Sequence, residues 1–380
     1  MTGGMVNLRK TKWAVAVLAF AAPVFFAVQA YAQGAAQAVT LESLAAKAGK
    51  SRLELGLQPF APNIALAKIF SERFPNIDVR ITQMAVSNFT PRVLAEQKAG
   101  IFTWDVYFGQ VLSAGSVLAP VGALAKITDY LLLPEVKNPA AWRAPHLLYS
   151  PDGQPYIFNS SIALESSLYV NTARLNGVRL DDADDLLDPR LKGRIAIRMA
   201  DRSGAGAVSL AALYKSKGEA FIRKLLVQPG IAYFENPRQI TMSVMRGEKA
   251  VAIGGGSSDI LGTCKLSGGC GTVVESDIGS VILPRGVFVL KNAPHQAATQ
   301  LWVNWVLSRE GQAAFVREWA KSYPGGAVSM RKDVPPAKGH EVTLPNFNQP
   351  GRYLLLGTKE ADRITAEAVA VFRSVRDAKR

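Results

Sequence analysis

The sequence predicts an α/β protein of two lobes, each a mixed and mostly parallel sheet flanked by helices, with a cleft between them. Three observations lead there. Leu53, Leu55 and Leu57 alternate with polar or small residues; Ile64, Ala67, Phe70 and Phe74 then repeat at helical spacing; Ile77, Val79 and Ile81 alternate again. Strand, helix, strand is the unit that builds a parallel sheet with helices on its faces. Next, the stretch IALESSLYVNTARLNGVRLDDADDLLDPRLKGRIAI (162–197) joins an apolar strand at 164–170 to another at 194–197. Between them lie a polar connection, a short helix at 182–187 and a turn at 188–193, the layout of a crossover that passes the chain from one lobe to the other. Beyond it, helices and short strands alternate again. With 380 residues there is chain for one large core or two medium ones, and 48% hydrophobic against 19% charged residues marks an ordinary globular protein.

In chain order, residues 41–47 suit a short helix after an Ala- and Gln-rich linker at 33–38. The first strand ends in Gln58-Pro59-Phe60-Ala61-Pro62-Asn63, a turn with two prolines, and Pro75-Asn76 stops the helix that follows. Ser87-Asn88-Phe89-Thr90-Pro91 opens a helix running through Glu96 and Lys98, and 105–109 is a third strand. Residues 120–145 are punctuated by prolines and irregular. After the crossover, the turn 200–206 opens a helix at 207–217, followed by a helix at 218–226 and a strand at 231–234. A helix at 239–246 precedes a strand at 249–253, which empties into Gly254-Gly255-Gly256-Ser257-Ser258-Asp259. Segments 281–283 and 286–290 bring the chain back to the first lobe. The helix at 294–307 carries Trp302 and Trp305, which read as core, another starts at 308, and a final helix spans 359–378. The expected partition is a first lobe of 48–158 with 284–333, a second lobe of 159–283, and a C-terminal extension of 334–380.

Arg9, Lys10 and Lys12 precede an apolar run at 13–28, and Ala30-Tyr31-Ala32 supplies small residues for cleavage, the pattern of a secretory signal peptide at 1–32. An N-terminal membrane anchor is the competing reading, but the run is short for a span and contains Pro23. Cleavage after Ala32 would lower the formal charge from +14 to +11, leaving 41 basic against 30 acidic residues. No cysteine follows the apolar run, which excludes a lipid anchor, so the mature chain is expected in the periplasm or outside the cell. Cys264 and Cys270 suit an oxidising compartment as a small disulfide loop; metal binding is the weaker alternative, because no histidine is near. The remaining positive charge fits a solvated basic surface or attraction of an anionic small ligand. Nucleic acid fits poorly, because Lys and Arg are scattered and not interleaved with aromatics.

Tyr169, Asn171 and Thr172, the run Asp185 to Pro189, Lys192, Gly193 and the strand Ile195 to Ile197 together resemble the extracellular solute-binding proteins of ABC importers, in the branch of ferric-iron and polyamine binders. The opening FSERFPNIDVRI, the run NWVLSREGQ and the segment Ser329 to Pro335 are similar to the same family. The resemblance implies a type II periplasmic-binding-protein fold, a small solute in the interlobe cleft, a membrane permease as partner, a monomer and no cofactor. Ferric-iron binders of this branch hold the metal with adjacent tyrosines after a strand like 247–253. Here that place reads Gly-Gly-Gly-Ser-Ser, and none of the ten tyrosines adjoins another. Glycine and serine cannot replace hard phenolate ligands for Fe(III).

In an open α/β sheet, ligands sit beyond the carboxyl ends of the strands. Four loops meet that description. They nominate Gln58 and Phe60; Ser87 and Asn88; Arg202, Ser203, Gly204 and Ala205; and Gly256, Ser257 and Ser258, with Tyr233 as a possible stacking contact. Arg202 to Gly206 lies at a helix N-terminus, where unpaired amides and the helix dipole favour an anion; an ordinary glycine-rich cap is the alternative. Enzyme readings find no seat: G-x-S-x-G, H-E-x-x-H and G-x-x-x-x-G-K-[ST] are absent. The expectation is a periplasmic binding protein for a small anionic organic solute or oxyanion. Ferric iron held by other ligands is the alternative, and a secreted hydrolase or sensor partner comes third.

Overall fold

The computed structural model describes residues 38–150, 153–201, 204–255, 273–276, 278–322, 328–338 and 353–378, together with Met1. Helix α1 (Leu41–Ala48) starts at a capping box in which Thr40 and Ser43 bond each other's backbone amides. Strand β1 (Ser51–Leu57), helix α2 (Ala61–Arg73) and strand β2 (Ile77–Gln83) form the βαβ unit, with β1 and β2 parallel from Ser51↔Ile77 to Leu57↔Gln83. Helix α3 (Val86–Lys98) and strand β3 (Val106–Gln110) continue it, and β3 pairs parallel with β1 on its other side. A π-helical turn (Ala114–Leu118) follows β3, and the proline-punctuated region holds the single turn α4 (Pro134–Lys137).

Strand β4 (Tyr149–Ser150) leads to β5 (Ile157–Glu165) and then β6 (Leu168–Asn171). The single strand expected at 164–170 is therefore two strands in two different sheets. The break lies at Ser166-Ser167, where the Ser166 hydroxyl accepts from Leu168 N and donates to Leu168 O, a local bond that competes with the ladder. A 3-10 turn (Ala183–Leu187), capped reciprocally by Asp182 and Asp185, replaces the short helix of the crossover and precedes β7 (Ile195–Arg198). Helix α5 (Ala205–Val227) joins the two helices read from the sequence, with Gly218 in a non-helical conformation between its halves (φ 78°). Strand β8 (Ala232–Phe234), helix α6 (Pro237–Met245), strands β9 (Val251–Ile253) and β10 (Val273–Ser276) complete the second sheet.

Segments 281–283 and 286–290 are one strand, β11 (Val281–Val289), with Pro284 inside it. Proline is tolerated there because the ladder to β3 starts only at Arg285↔Gln110. Helices α7 (Gln296–Leu307) and α8 (Arg309–Ser322), strands β12 (Val328–Ser329) and β13 (Leu354–Leu355), and helix α9 (Lys359–Asp377) close the chain.

Two sheets result. The first runs β12-β5-β11-β3-β1-β2, with β13 and β4 pairing off it; the second runs β10-β6-β9-β7-β8. In each, the central strands are parallel; β11 runs antiparallel to β3 and β6 antiparallel to β9, whereas β5, antiparallel to β11, runs in the same sense as β3. Leu53, Leu55 and Leu57 turn one face of the first sheet onto Phe70, Phe108, Trp302 and Trp305. Phe89, Trp104, Tyr107 and Phe288 fill its other face. The second core gathers Ile195, Ile197, Leu210, Leu213, Val251 and Ile253, and helix α9 joins it through Ile364, Ala368 and Phe372. The C-terminal segment is thus built into the second lobe rather than appended to it.

One buried polar residue ties α7 to the irregular region. Asn304 accepts from Leu132 N and Leu133 N (2.8 and 2.9 Å) and donates to Tyr130 O and Gln300 O (2.8 and 2.7 Å). Asn304→Ala leaves one buried and one partly buried amide unpaired and should cost roughly 2–3 kcal/mol in chemical denaturation. A loss indistinguishable from that of an exposed Asn→Ala control would show that this residue does not anchor the 130–133 segment.

Candidate ligand cleft

The parallel strands of both sheets end at the cleft, so the loops after β1, β2, β3, β7, β8 and β9 supply its walls. On the first lobe, Gln58 follows β1. It is buried, and its side-chain oxygen accepts from Tyr107 Oη at 2.9 Å and from Val86 N at 3.4 Å. Burial pushes the Tyr107 phenol far up, which keeps it a donor to Gln58 and to Met84 O. Gln58 therefore pins the start of α3 to β1, a supporting role the sequence did not show. Phe60 caps α2 without a side-chain bond and sits edge-on to Trp319 at 5.4 Å. Ser87 and Asn88 stand exposed in the first turn of α3.

On the second lobe, Gly204 and Ala205 lie exposed at the start of α5, and the helix's first amides have no intrahelical acceptor. The helix approaches β7 so closely that a Cβ on Gly206 would lie 2.3 Å from Met199 O. Gly254 (φ 86°) fits against Arg198 and Gly206, and a Cβ on Gly255 would meet the Tyr169 ring at 2.9 Å. Only glycine suits these places. A pocket of about 130 Å³ at the α5 terminus is lined by Arg198, Met199, Asp201, Gly204 to Gly206 and Glu235. Helix α9 holds its rim: Arg373 Nε donates to Asp201 O at 2.6 Å, and Arg376 pairs with the Asp201 carboxylate at 3.0 Å. A groove of about 920 Å³ continues between the lobes, with Leu112, Ser113 and Ser116 on one side and Lys359, Thr365 and Arg373 on the other.

Tyr233 lies elsewhere. Its hydroxyl donates to Leu226 O near the far end of α5, and its ring packs edge-on to Phe372 of α9. Arg202, Ser203, Gly256, Ser257, Ser258, Cys264 and Cys270 fall outside the described residues. Among the described residues, no group of three or more His, Cys, Asp or Glu side chains could hold a metal ion, and no helix is long and apolar enough to cross a membrane.

The sequence reading did not single out two charges on the strands that change lobe. In the β5–β11 pairing, Arg285 faces Ser161 and Val281 faces Glu165, so alternation puts Arg285 and Glu165 on one face of the two strands that change lobe. The Arg285 guanidinium lies over the Trp319 and Phe60 rings at 4.0 and 5.4 Å. Glu165 keeps solvent contact on its open side, but surrounding protein raises its pKa above the ordinary 4.5 while the charge of Arg285 opposes the rise. A lone charge inside each of the apolar runs IFNSSIALE and VILPRGVFV was the available signal.

The sequence profile of bacterial extracellular solute-binding proteins matches residues 122–350, more than half of the chain. No curated protein matches significantly. Among solved structures, iron-bound HitA of Pseudomonas aeruginosa is similar at 22% identity and a TM-score of 0.58, covering 86% of this chain and 99% of its own. AfuA of Actinobacillus pleuropneumoniae with bound fructose-6-phosphate gives 20% and 0.56, covering 86% and 99%. The IdiA (FutA) protein of Trichodesmium with iron and citrate gives 16% and 0.63, covering 85% and 99%. At these identities the likeness establishes the fold, the two-lobed architecture of periplasmic binding proteins.

Because its carboxyl pKa is raised on folding, Glu165 binds a proton more tightly in the native chain than in the unfolded one. The native state loses stability as pH climbs through and above 4.5. Glu165→Gln removes that loss, so its melting temperature relative to wild type should rise between pH 4 and pH 7. An equal difference at both pH values would mean that the carboxyl is not desolvated.

Proposed function

The chain belongs to the bacterial extracellular solute-binding proteins, and from that premise we propose that it captures a small anionic organic solute or oxyanion between its lobes for delivery to an ABC permease. The observation that carries the reading is the start of α5. Gly204, Ala205 and Gly206 present free amides at the positive end of a long helix, held against the carboxyl end of β7 by the Gly206–Met199 contact. Backbone amides in that arrangement bind carboxylate, sulfonate, phosphonate or phosphate without any side chain. Ser87 and Asn88 on the first lobe offer hydroxyl and amide groups that only a closed cleft can bring to the same molecule. A solute bridging both lobes binds better to the closed arrangement and draws the population toward it.

Ferric iron is disfavoured by the glycines after β9. Gly254 and Gly255 stand where ferric binders of the resembling branch place their tyrosines, and neither position has room for a side chain. Iron held by other ligands keeps its place in the test below, because two of the similar structures contain it.

The reading is tested by thermal unfolding against phosphate, phosphonates, sulfonates, carboxylates, polyamines and ferric salts. Binding to the native state alone adds about 2.7 kcal/mol at a hundredfold excess over Kd, so one anion class should raise the melting temperature clearly. Ala205→Glu places a carboxylate on the same amides. It should leave stability equal or higher, since acidic groups favour helix N-termini, while weakening the anion about tenfold or more. A shift with ferric salt alone, or full anion binding by Ala205→Glu, would remove the α5 amides from the site.

A further inference from the structure

Glu165 ends β5 at the point where the chain leaves the first sheet, its backbone paired with Val281 and its side chain exposed. Arg285 shares its face but is engaged with the Trp319 and Phe60 rings four positions along the ladder. The backbone just beyond it reaches the start of α5. Two residues on, Ser167 O accepts from Gly254 N at 2.9 Å, and Gly254 packs directly against Gly206 in the first turn of α5. We propose that Glu165 receives a protonated amine of the solute, so that the cleft selects zwitterions: an acidic head on the α5 amides and an ammonium group on that carboxylate. This deepens the anion reading above and rests on it.

The charges explain why the group is an ammonium rather than another anion or a metal. A second anionic group would meet Glu165 as a like charge. A multivalent cation needs several hard ligands together, and the described residues provide no such cluster. An ammonium supplies three donors and the opposite charge to an exposed carboxylate. Arg285 contributes from a distance: its positive charge helps keep the carboxyl ionised, without occupying it.

Calorimetric titration decides the matter with four matched pairs: taurine and ethanesulfonate, β-alanine and propionate, 4-aminobutyrate and butyrate, 2-aminoethylphosphonate and ethylphosphonate. A hydroxyl analogue, 2-hydroxyethanesulfonate, is added. Wild type should prefer the amino member of at least one pair by about tenfold or more, which is a difference of about 1.4 kcal/mol. Glu165→Gln should erase that preference and tighten the desamino anion. Binding of desamino anions in preference to their amino partners overturns the inference and leaves the anion site standing. Equal binding of the hydroxyl and amino compounds overturns the ammonium assignment. A preference unchanged in Glu165→Gln removes Glu165 from the site, and binding of none of the compounds removes the anion reading as well. Should Glu165→Gln fail to fold, Glu165→Asp keeps the charge with a shorter reach. It should fold and lose part of the preference, and full retention counts against the proposal.

Discussion

The antiparallel pairing of β5 with β11 carries two tasks at once. From Ile157↔Phe288 to Glu165↔Val281 it is the middle of the first sheet, and at one end it is the place where both strands leave for the second lobe. A sheet register has a period of two, so a slip by one residue would turn every side chain to the opposite face. Here such a slip would exchange Phe158 and Val287, which belong to one core face, with Ile157 and Phe288, which belong to the other. The lobes' relative placement and the packing of the first core are therefore one constraint. The irregularity between Arg285 and Gly286 belongs to it, because a Cβ on Gly286 would lie 1.9 Å from Phe158 O.

The second lobe solves a different problem, bringing backbone rather than side chains to the cleft. Amides bind anions best when nothing covers them, and a helix can bring its N-terminus to a strand end only if its first turn is slim. Gly206 meets that need against Met199, and Gly254 and Gly255 meet it against Arg198 and Tyr169. Gly254 and Gly255 leave no room for a side chain beside that first turn. Helix α9 then fixes the rim through Arg373 and Arg376 on Asp201, with solvent-exposed contacts that are individually worth little. Their effect is on where the loop sits more than on how stable the lobe is.

Much of this was legible in the sequence, for identifiable reasons. The βαβ unit at 51–83 shows because its sheet is buried on one face and its helix on one stripe, so local periodicity carries the signal. The crossover shows because a lobe change needs strand, polar connection and strand in succession. Contacts set by distant register were not legible. Leu164 and Leu168 look like one strand until Ser166 is seen to bond its own backbone. Gln58 looks like a ligand contact because it follows the carboxyl end of a strand, but Tyr107, forty-nine residues away, has claimed its side chain. Tyr233 looks like a stacking platform, while its partner is Phe372, near the other end of the chain. Glu165 and Arg285 are visible as odd charges in apolar runs, and only the pairing of two strands far apart in sequence puts them on one face.

The position of those two charges also separates selection from closure. Groups on opposite lobes, such as Ser87 and Asn88 against Gly204 to Gly206, change their distance when the lobes move, so a solute that touches both sets binds the closed state better. A group on the crossing strands stays nearly fixed relative to both lobes and contributes almost equally to open and closed states. Equal contributions shift no equilibrium, however strong they are. On the proposed reading, Glu165 would bear on which solute is admitted more than on whether the cleft closes, and the α5 amides and the α3 turn would bear on closure. That division follows from topology alone: the two charges stand on strands that change lobe, and the walls are made of loops that belong to one lobe each.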